Sequence, residues 1–289
     1  MNMDIGYAVL FGLVAMVGSG LSGALSREPV RTLGSDRALF WRQVMMVALQ
    51  VPLMSVFFPE TFSVWDMPLL LSVGILGYVP IYFFFRAISY GRVGVVSPIS
   101  NASAVITALL AVFILGEPFG WSRVTGLALV LSGVFLLSVD FRDWRNSSLI
   151  RKESGIPFAV AACLGWGVVM FLFRYPVLAV GPILTAFTVE VVILLIAAAR
   201  LGWKREPFPL PKGIRLPMLF VGMTGVVGVI AYDFGLMTSS VAVVAVLNMT
   251  NPVIAATYER IVHYERLSFR QYVGMALAIA GAAMVSFLQ

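Results

Sequence analysis

Apolar residues recur in blocks of about 20 along the whole 289-residue chain, each closed by a short polar or basic segment. Ten blocks are legible, at roughly 5–25, 37–58, 67–88, 93–115, 121–139, 156–174, 181–200, 215–237, 241–262 and 269–288. They are too long for strands and lack period-2 alternation, so a barrel is excluded. Backbone amides and carbonyls have no water to bond in hydrocarbon, so such blocks have to be helices. The pattern predicts an all-α, polytopic membrane protein with ten transmembrane helices. The first block begins at Ile5 without a basic leader segment or a convincing cleavage site, and is read as a membrane helix.

The blocks form two copies of one unit. Residues 117–138 match 265–286 at an offset of 148, with Glu117 on Glu265, Gly126 on Gly274, Gly133 on Gly281 and Ser138 on Ser286. Val95, Val96, Val105 and Ile106 extend the match to Val243, Val244, Val253 and Ile254. Near the start of each half the offset is 147, where Gly18, Gly20, Arg27, Pro29 and Val30 meet Gly165, Gly167, Arg174, Pro176 and Val177. The division predicted is a first repeat at 1–139, a basic linker at 140–155 and a second repeat at 156–289. Five spans per half is an odd number, so the second half runs through the bilayer in the opposite sense. The expectation is a five-plus-five inverted repeat.

Composition agrees. Hydrophobic residues make up 60% and charged residues 12%, far from a soluble domain's balance, so the apolar excess has to face lipid. The net charge of +6 is no nucleic-acid signature, because the basic residues lie in loops. Of the 20 Lys and Arg residues, 17 fall in loops 1–2, 3–4, 5–6, 7–8 and 9–10, with Arg123 and Arg174 on the opposite face and Arg42 inside span two. The charge rule puts the cationic face in the cytoplasm and both termini outside a cell (inner) membrane. Cys163 is alone in an apolar run, so no disulfide forms within the chain.

Ten spans, the duplication, and a Glu between the fourth and fifth spans of each half resemble the drug/metabolite transporter superfamily, and within it the EamA-like branch. The residues carrying the resemblance are Gly116-Glu117-Pro118 with Gly126 and Gly133, repeated as Tyr264-Glu265-Arg266 with Gly274 and Gly281. In the second copy Tyr264 stands where Gly is usual. The resemblance implies transport of small organic solutes, often amino acids or related metabolites, commonly by efflux. It also implies a central cavity built from spans one to four and six to nine, with spans five and ten at the periphery. Ten-span members commonly keep both termini in the cytoplasm, which the charge distribution of this chain opposes.

Glu190, near the middle of span seven, is the sharpest candidate. An intramembrane carboxylate costs roughly 2.5–3.5 kcal/mol on insertion scales, so it faces a cavity or a partner. It is a candidate proton acceptor or partner for a cationic cargo. The alternative is a structural ion pair, with Arg42 in the repeat-equivalent span two as partner. Spans four and nine hold Ser97, Ser100, Asn101 and Ser103, and Asn248, Thr250 and Asn251, with Pro98 and Pro252 interrupting the same helices. Asn101, Asn248 and Asn251 are expected to line a cavity near the midplane, and the serines to pack between helices.

Tyr78, Tyr82, Trp166 and Tyr232 are expected to wall that cavity, while Trp41 is read as an interfacial residue. Asp233 and Glu259, nearer span ends, are read as snorkelled or water-exposed, with a gate or second ionic site as the alternative for Asp233. Arg86 is read as snorkelling to the basic face. Glu117 and Glu265 are expected to bond freed amides of the helix that follows. The glycines seven apart at 126 and 133, and at 274 and 281, predict close helix contact. His263 has no metal-ligand companions.

A secondary transporter working by alternating access fits these features. The sequence carries no nucleotide-binding loop of the Walker type. An organic-cation or multidrug exporter coupled to protons is the nearest alternative. A membrane-embedded enzyme is disfavoured, because one His and scattered carboxylates give no catalytic cluster. The partners expected are a small-molecule solute, the lipid bilayer and protons. Neither a cofactor nor a nucleic acid is expected, and the functional unit is taken as a monomer.

Overall fold

The computed structural model describes residues 3–57, 62–91, 96, 99–117, 120–138, 154–238, 240–262, 264 and 267–287, and no strand occurs among them. In the first half, α1 (Met3–Leu25) and α2 (Arg27–Leu33) make span one and α3 (Ser35–Val56) makes span two. A 3-10 turn at Val64–Asp66 leads into α4 (Met67–Tyr90), followed by α5 (Ser103–Leu115) and α6 (Trp121–Ser138) as spans three to five. In the second half, α7 (Ile156–Leu172) and α8 (Arg174–Val180) make span six, and α9 (Pro182–Trp203) and α10 (Lys212–Leu236) make spans seven and eight. Span nine is α11 (Val241–Met249) with α12 (Pro252–Val262), and span ten is α13 (Phe269–Phe287). Seven of these stretches are long and apolar enough to cross a membrane, and shorter apolar helices cover Ile99–Leu115 and Val124–Leu137. The protein is a polytopic membrane protein with the two-repeat architecture.

The repeat governs packing as well as sequence. Helix α1 packs on α10 as α4 packs on α7, and α1 meets α11 as α7 meets α5. The pairs α3 with α9, α5 with α11 and α6 with α13 each join a helix to its own counterpart. The relation reaches single residues. Gly18 abuts Gly228 where Gly165 abuts Pro80, Gly20 sits on Ile254 where Gly167 sits on Ile106, and Gly74 meets Val192 where Gly222 meets Met45. Exchanging the halves maps each interface onto another or onto itself, as a pseudo-two-fold axis in the membrane plane requires. The contacts also locate the one-residue length difference, after Met45 and before Gly74 in the first half.

Helices α2 and α8 fall in stretches expected as loops between spans. Each is instead a separate two-turn helix, and the matched Arg-Pro-Val residues of the two halves sit in them. Both stop at a glycine in the same unusual conformation: Gly34 has φ 80° and ψ 163°, and Gly181 has φ 86° and ψ 163°. No side-chain-bearing residue adopts that region readily. The identical geometry in both halves lets the chain turn sharply into α3 and into α9.

Span nine forms the centre. Every residue of α11 is buried, whereas Leu10, Leu13, Leu164, Leu195 and Leu216 point outward as a lipid-facing surface. At the edge, α6 crosses α13 with backbones nearly touching. A Cβ on Gly133 would lie 2.4 Å from the Ala278 amide nitrogen, and one on Gly281 would lie 2.5 Å from the Gly126 carbonyl oxygen. The glycine spacing thus produces the close contact it predicted. Ser97, Pro98, Pro118, His263, Glu265, Arg266 and the linker up to residue 153 lie outside the described residues, as do the side chains of Arg123 and Ser138.

Candidate functional site

Helices α3 and α9 bring their polar residues together where the two halves meet. Arg42 donates to Gln43 Oε1, and Gln43 Nε2 donates to Glu190 Oε2. The Arg42 guanidinium also stands 3.8 Å from Glu190 Oε2. All three residues are buried. Gln43 and Glu190 are 147 positions apart, so they are repeat equivalents facing each other. The ion pair foreseen between Arg42 and Glu190 is therefore present, with an unforeseen amide between its members. The structure leaves both expected roles for Glu190 standing, since a paired carboxylate can serve either.

Asp233 on α10 is the second buried acid. It is 0% exposed, and neither carboxylate oxygen has a hydrogen-bond partner among the described residues. The sequence reading as a snorkelled or water-exposed group is corrected, because the side chain turns into the bundle and not toward the span end. Next to it, Tyr232 donates its hydroxyl to the Met170 carbonyl at 3.1 Å, tying span eight to span six.

Spans four and nine supply the amide pair. Asn101 Nδ2 donates to Asn251 Oδ1 at 3.0 Å, and Asn251 Nδ2 returns a bond to Asn101 Oδ1 at 3.1 Å. Exchanging the halves converts this pair into Ser103 and Met249, which are also in contact, with Ser103 Oγ 3.2 Å from the sulfur. Asn248 is buried and its Oδ1 has no partner among the described residues. Span nine is broken here. The Thr250, Asn251 and Val253 amides each bond a carbonyl three residues back, and Pro252 has no amide to donate. Span four tightens in the same way at Ala102 and Val105. Discontinuous helices whose polar residues meet at a repeat interface are a recurring construction of transporter binding sites.

The two tyrosines have contacts of their own. Tyr78 and Tyr82 stack with centroids 5.7 Å apart. Arg200 covers the Tyr82 ring at 4.4 Å and donates to its hydroxyl at 2.6 Å. Arg200 Nε also bonds Asp36 Oδ1 at 2.7 Å, and Lys204 bonds the other oxygen of Asp36. This cluster was missed. Its signal was the i, i+4 spacing of Arg200 and Lys204 at the end of span seven, which puts both cations on one face. Trp166 is half-buried on α7, against the core. Trp41 donates its indole N–H to the Phe208 carbonyl at 2.9 Å.

Two other acids have partners in distant helices. Glu259 is buried and ion-paired with Arg27 at 2.7 Å, because α12 runs beside the end of α1. Glu117 bonds the Val241 amide at 2.8 Å and the Ala242 amide at 3.4 Å. It thus caps α11 in the other half. Among the described residues no group of three or more His, Cys, Asp or Glu could hold a metal ion.

The EamA-like transporter family model matches residues 6–139 and again 153–287. The chain belongs to the EamA-like transporter family. It is a membrane transporter by family, and its environment is the bilayer. An uncharacterized transporter of Archaeoglobus fulgidus is 23% identical over 274 residues, covering 94% of this chain and 95% of the relative. The uncharacterized transporter YdeK of Bacillus subtilis is 30% identical over 119 residues, 39% of this chain and 40% of YdeK. A protein of known crystal structure superimposes with a TM-score of 0.71 over 97% of this chain and 98% of its own, at 20% identity, a likeness of fold alone.

Proposed function

We propose that this EamA-family chain exports a small organic metabolite, an amino acid or related solute, across the cell (inner) membrane by alternating access, working as a monomer. The observation that carries the reading is the polar contact of Arg42, Gln43 and Glu190 between repeat-equivalent helices. A contact on the axis between the halves has to be remade when one half rocks against the other. Glu190 then exchanges its guanidinium and amide partners for a proton or for the cationic part of a cargo. Asn101, Asn248 and Asn251 bind the cargo, with Tyr78, Tyr82, Trp166 and Tyr232 as walls. Arg42 and Asp233 form the ionic gate. The basic linker faces the cytoplasm and both termini the outside.

A second reading, a proton-coupled exporter of organic cations, draws support from two buried acids, Glu190 and Asp233. Counterflow into proteoliposomes separates the two. Protein-dependent exchange of amino acids is the expected outcome. Exchange of organic cations alone favours the second reading, and no exchange with either class rejects both.

A further inference from the structure

A cavity of about 540 Å³, with none of Arg42, Gln43, Glu190 or the asparagines in its lining, lies where the end of α1 and helix α2 meet the first turns of α10 and Tyr258 of α12. Its walls divide by chemistry. Leu25, Leu216, Pro217 and Phe220 form an apolar side. Leu216 is 61% exposed and Phe220 47% exposed, so this side is continuous with the lipid-facing surface. Glu28, Arg31 and Thr32 form an exposed polar side on α2, beside Arg27. Arg27 is engaged with Glu259, which leaves Arg31 as the guanidinium offered to a ligand. Glu28 and Arg31 are three residues apart and share a face of the helix.

The repeat shows that the fold does not need these charges. At the offset of 147, Glu28, Arg31 and Thr32 become Tyr175, Leu178 and Ala179 on α8, which makes the same turn into the next span without them. The charge rule accounts for a cation on this face of the membrane. It does not account for a carboxylate placed beside that cation. A carboxylate and a guanidinium at the edge of an apolar groove match a ligand with an ammonium, a phosphate and hydrocarbon chains.

We propose that this cavity is a phospholipid site selective for a zwitterionic headgroup bearing a primary amine. Arg31 holds the phosphate through paired N–H donors. Glu28 accepts hydrogen bonds from the ammonium, which a quaternary ammonium cannot donate. The acyl chains run along Leu216 and Phe220. The site is independent of what the transporter carries.

The test is native mass spectrometry of the full-length protein in detergent, titrated with phosphatidylethanolamine, phosphatidylcholine and phosphatidylglycerol. A charge-assisted hydrogen bond predicts roughly tenfold greater retention of phosphatidylethanolamine than of phosphatidylcholine. Arg31→Ala is expected to lower retention of all three lipids, and Glu28→Gln to abolish the preference for phosphatidylethanolamine while keeping phosphate-dependent binding. Arg31→Gln, measured alongside, guards against a packing effect of the truncation. Equal retention of the three lipids by the wild-type protein, or unchanged selectivity in Glu28→Gln, overturns the proposal. So does competition by soluble glycerophosphoethanolamine at the same concentration as the lipid, which assigns the site to a free headgroup.

Discussion

Gln43 and Glu190 hydrogen-bond to each other, and they occupy the same position in the two halves of the chain. A residue on a two-fold axis meets its own copy. Two carboxylates would repel there, and two amides would carry no charge to couple. One amide and one acid, with Arg42 alongside, give an ionic contact that the symmetry of the fold would otherwise forbid.

Glu190→Gln leaves Arg42 buried without its counter-charge. Breaking a buried pair costs about 3–5 kcal/mol, so the unfolding temperature of the purified protein should fall. Arg42→Met in the same chain should restore it, as a double-mutant cycle would register. If Glu190 couples transport, gradient-driven flux into proteoliposomes stays lost in the restored double variant. Recovery of flux together with stability would make the residue structural only.

Asn251→Leu removes both bonds of the reciprocal amide pair with Asn101. Ser286→Leu is an equally drastic change in the peripheral span ten, where the serine bonds only the Ala282 carbonyl. Cargo affinity, read by isothermal titration, should drop more for Asn251→Leu. The same comparison applied to Asn248→Leu tests the second asparagine of α11. Equal losses in central and peripheral variants would remove the asparagines from the site.

Gly34→Ala and Gly181→Ala should destabilise alike, by about 1–3 kcal/mol each, because a Cβ is poorly tolerated at those dihedrals even though space is open around both. Gly202→Ala, in a helical turn with equally open surroundings, should be neutral or stabilising by up to about 1 kcal/mol. Unfolding temperatures in one detergent check all three.

Topology is tested with introduced cysteines in a Cys163→Ser background. Ser147→Cys should resist, and Asn2→Cys should accept, an impermeant thiol reagent applied to intact cells, because 17 of 20 cationic residues share the linker's side. The reverse labelling would put both termini in the cytoplasm.

Much of the architecture could be read from the chain because lipid imposes strong rules: block length gave the spans, and repeated glycines and glutamates gave the duplication. The ion pair of Arg42 with Glu190 was legible because a charge inside a span needs a partner. Gln43 was not, since an amide in an apolar run carries no such alarm. The bond of Glu117 to α11 was not legible either, because local spacing cannot show that a helix 124 residues on presents its amides there. Asp36 escaped for a related reason: its partners, Arg200 and Lys204, lie 164 and 168 residues away. Helices α2 and α8 looked like loop because they are short, although their matched Arg-Pro-Val residues marked them as built structure.

The crossing of α6 and α13 divides the seam between the halves into two kinds of joint. Along the axis the halves are joined by side chains, which can release one partner and take another. At the crossing they are joined main chain to main chain, with no side-chain thickness to compress and no hydrocarbon slack between them. Such a contact resists sliding while tolerating a small change of angle. Rocking of one half against the other would therefore pivot on this edge, as a door turns on a pin, with the widest opening at the side farthest from it.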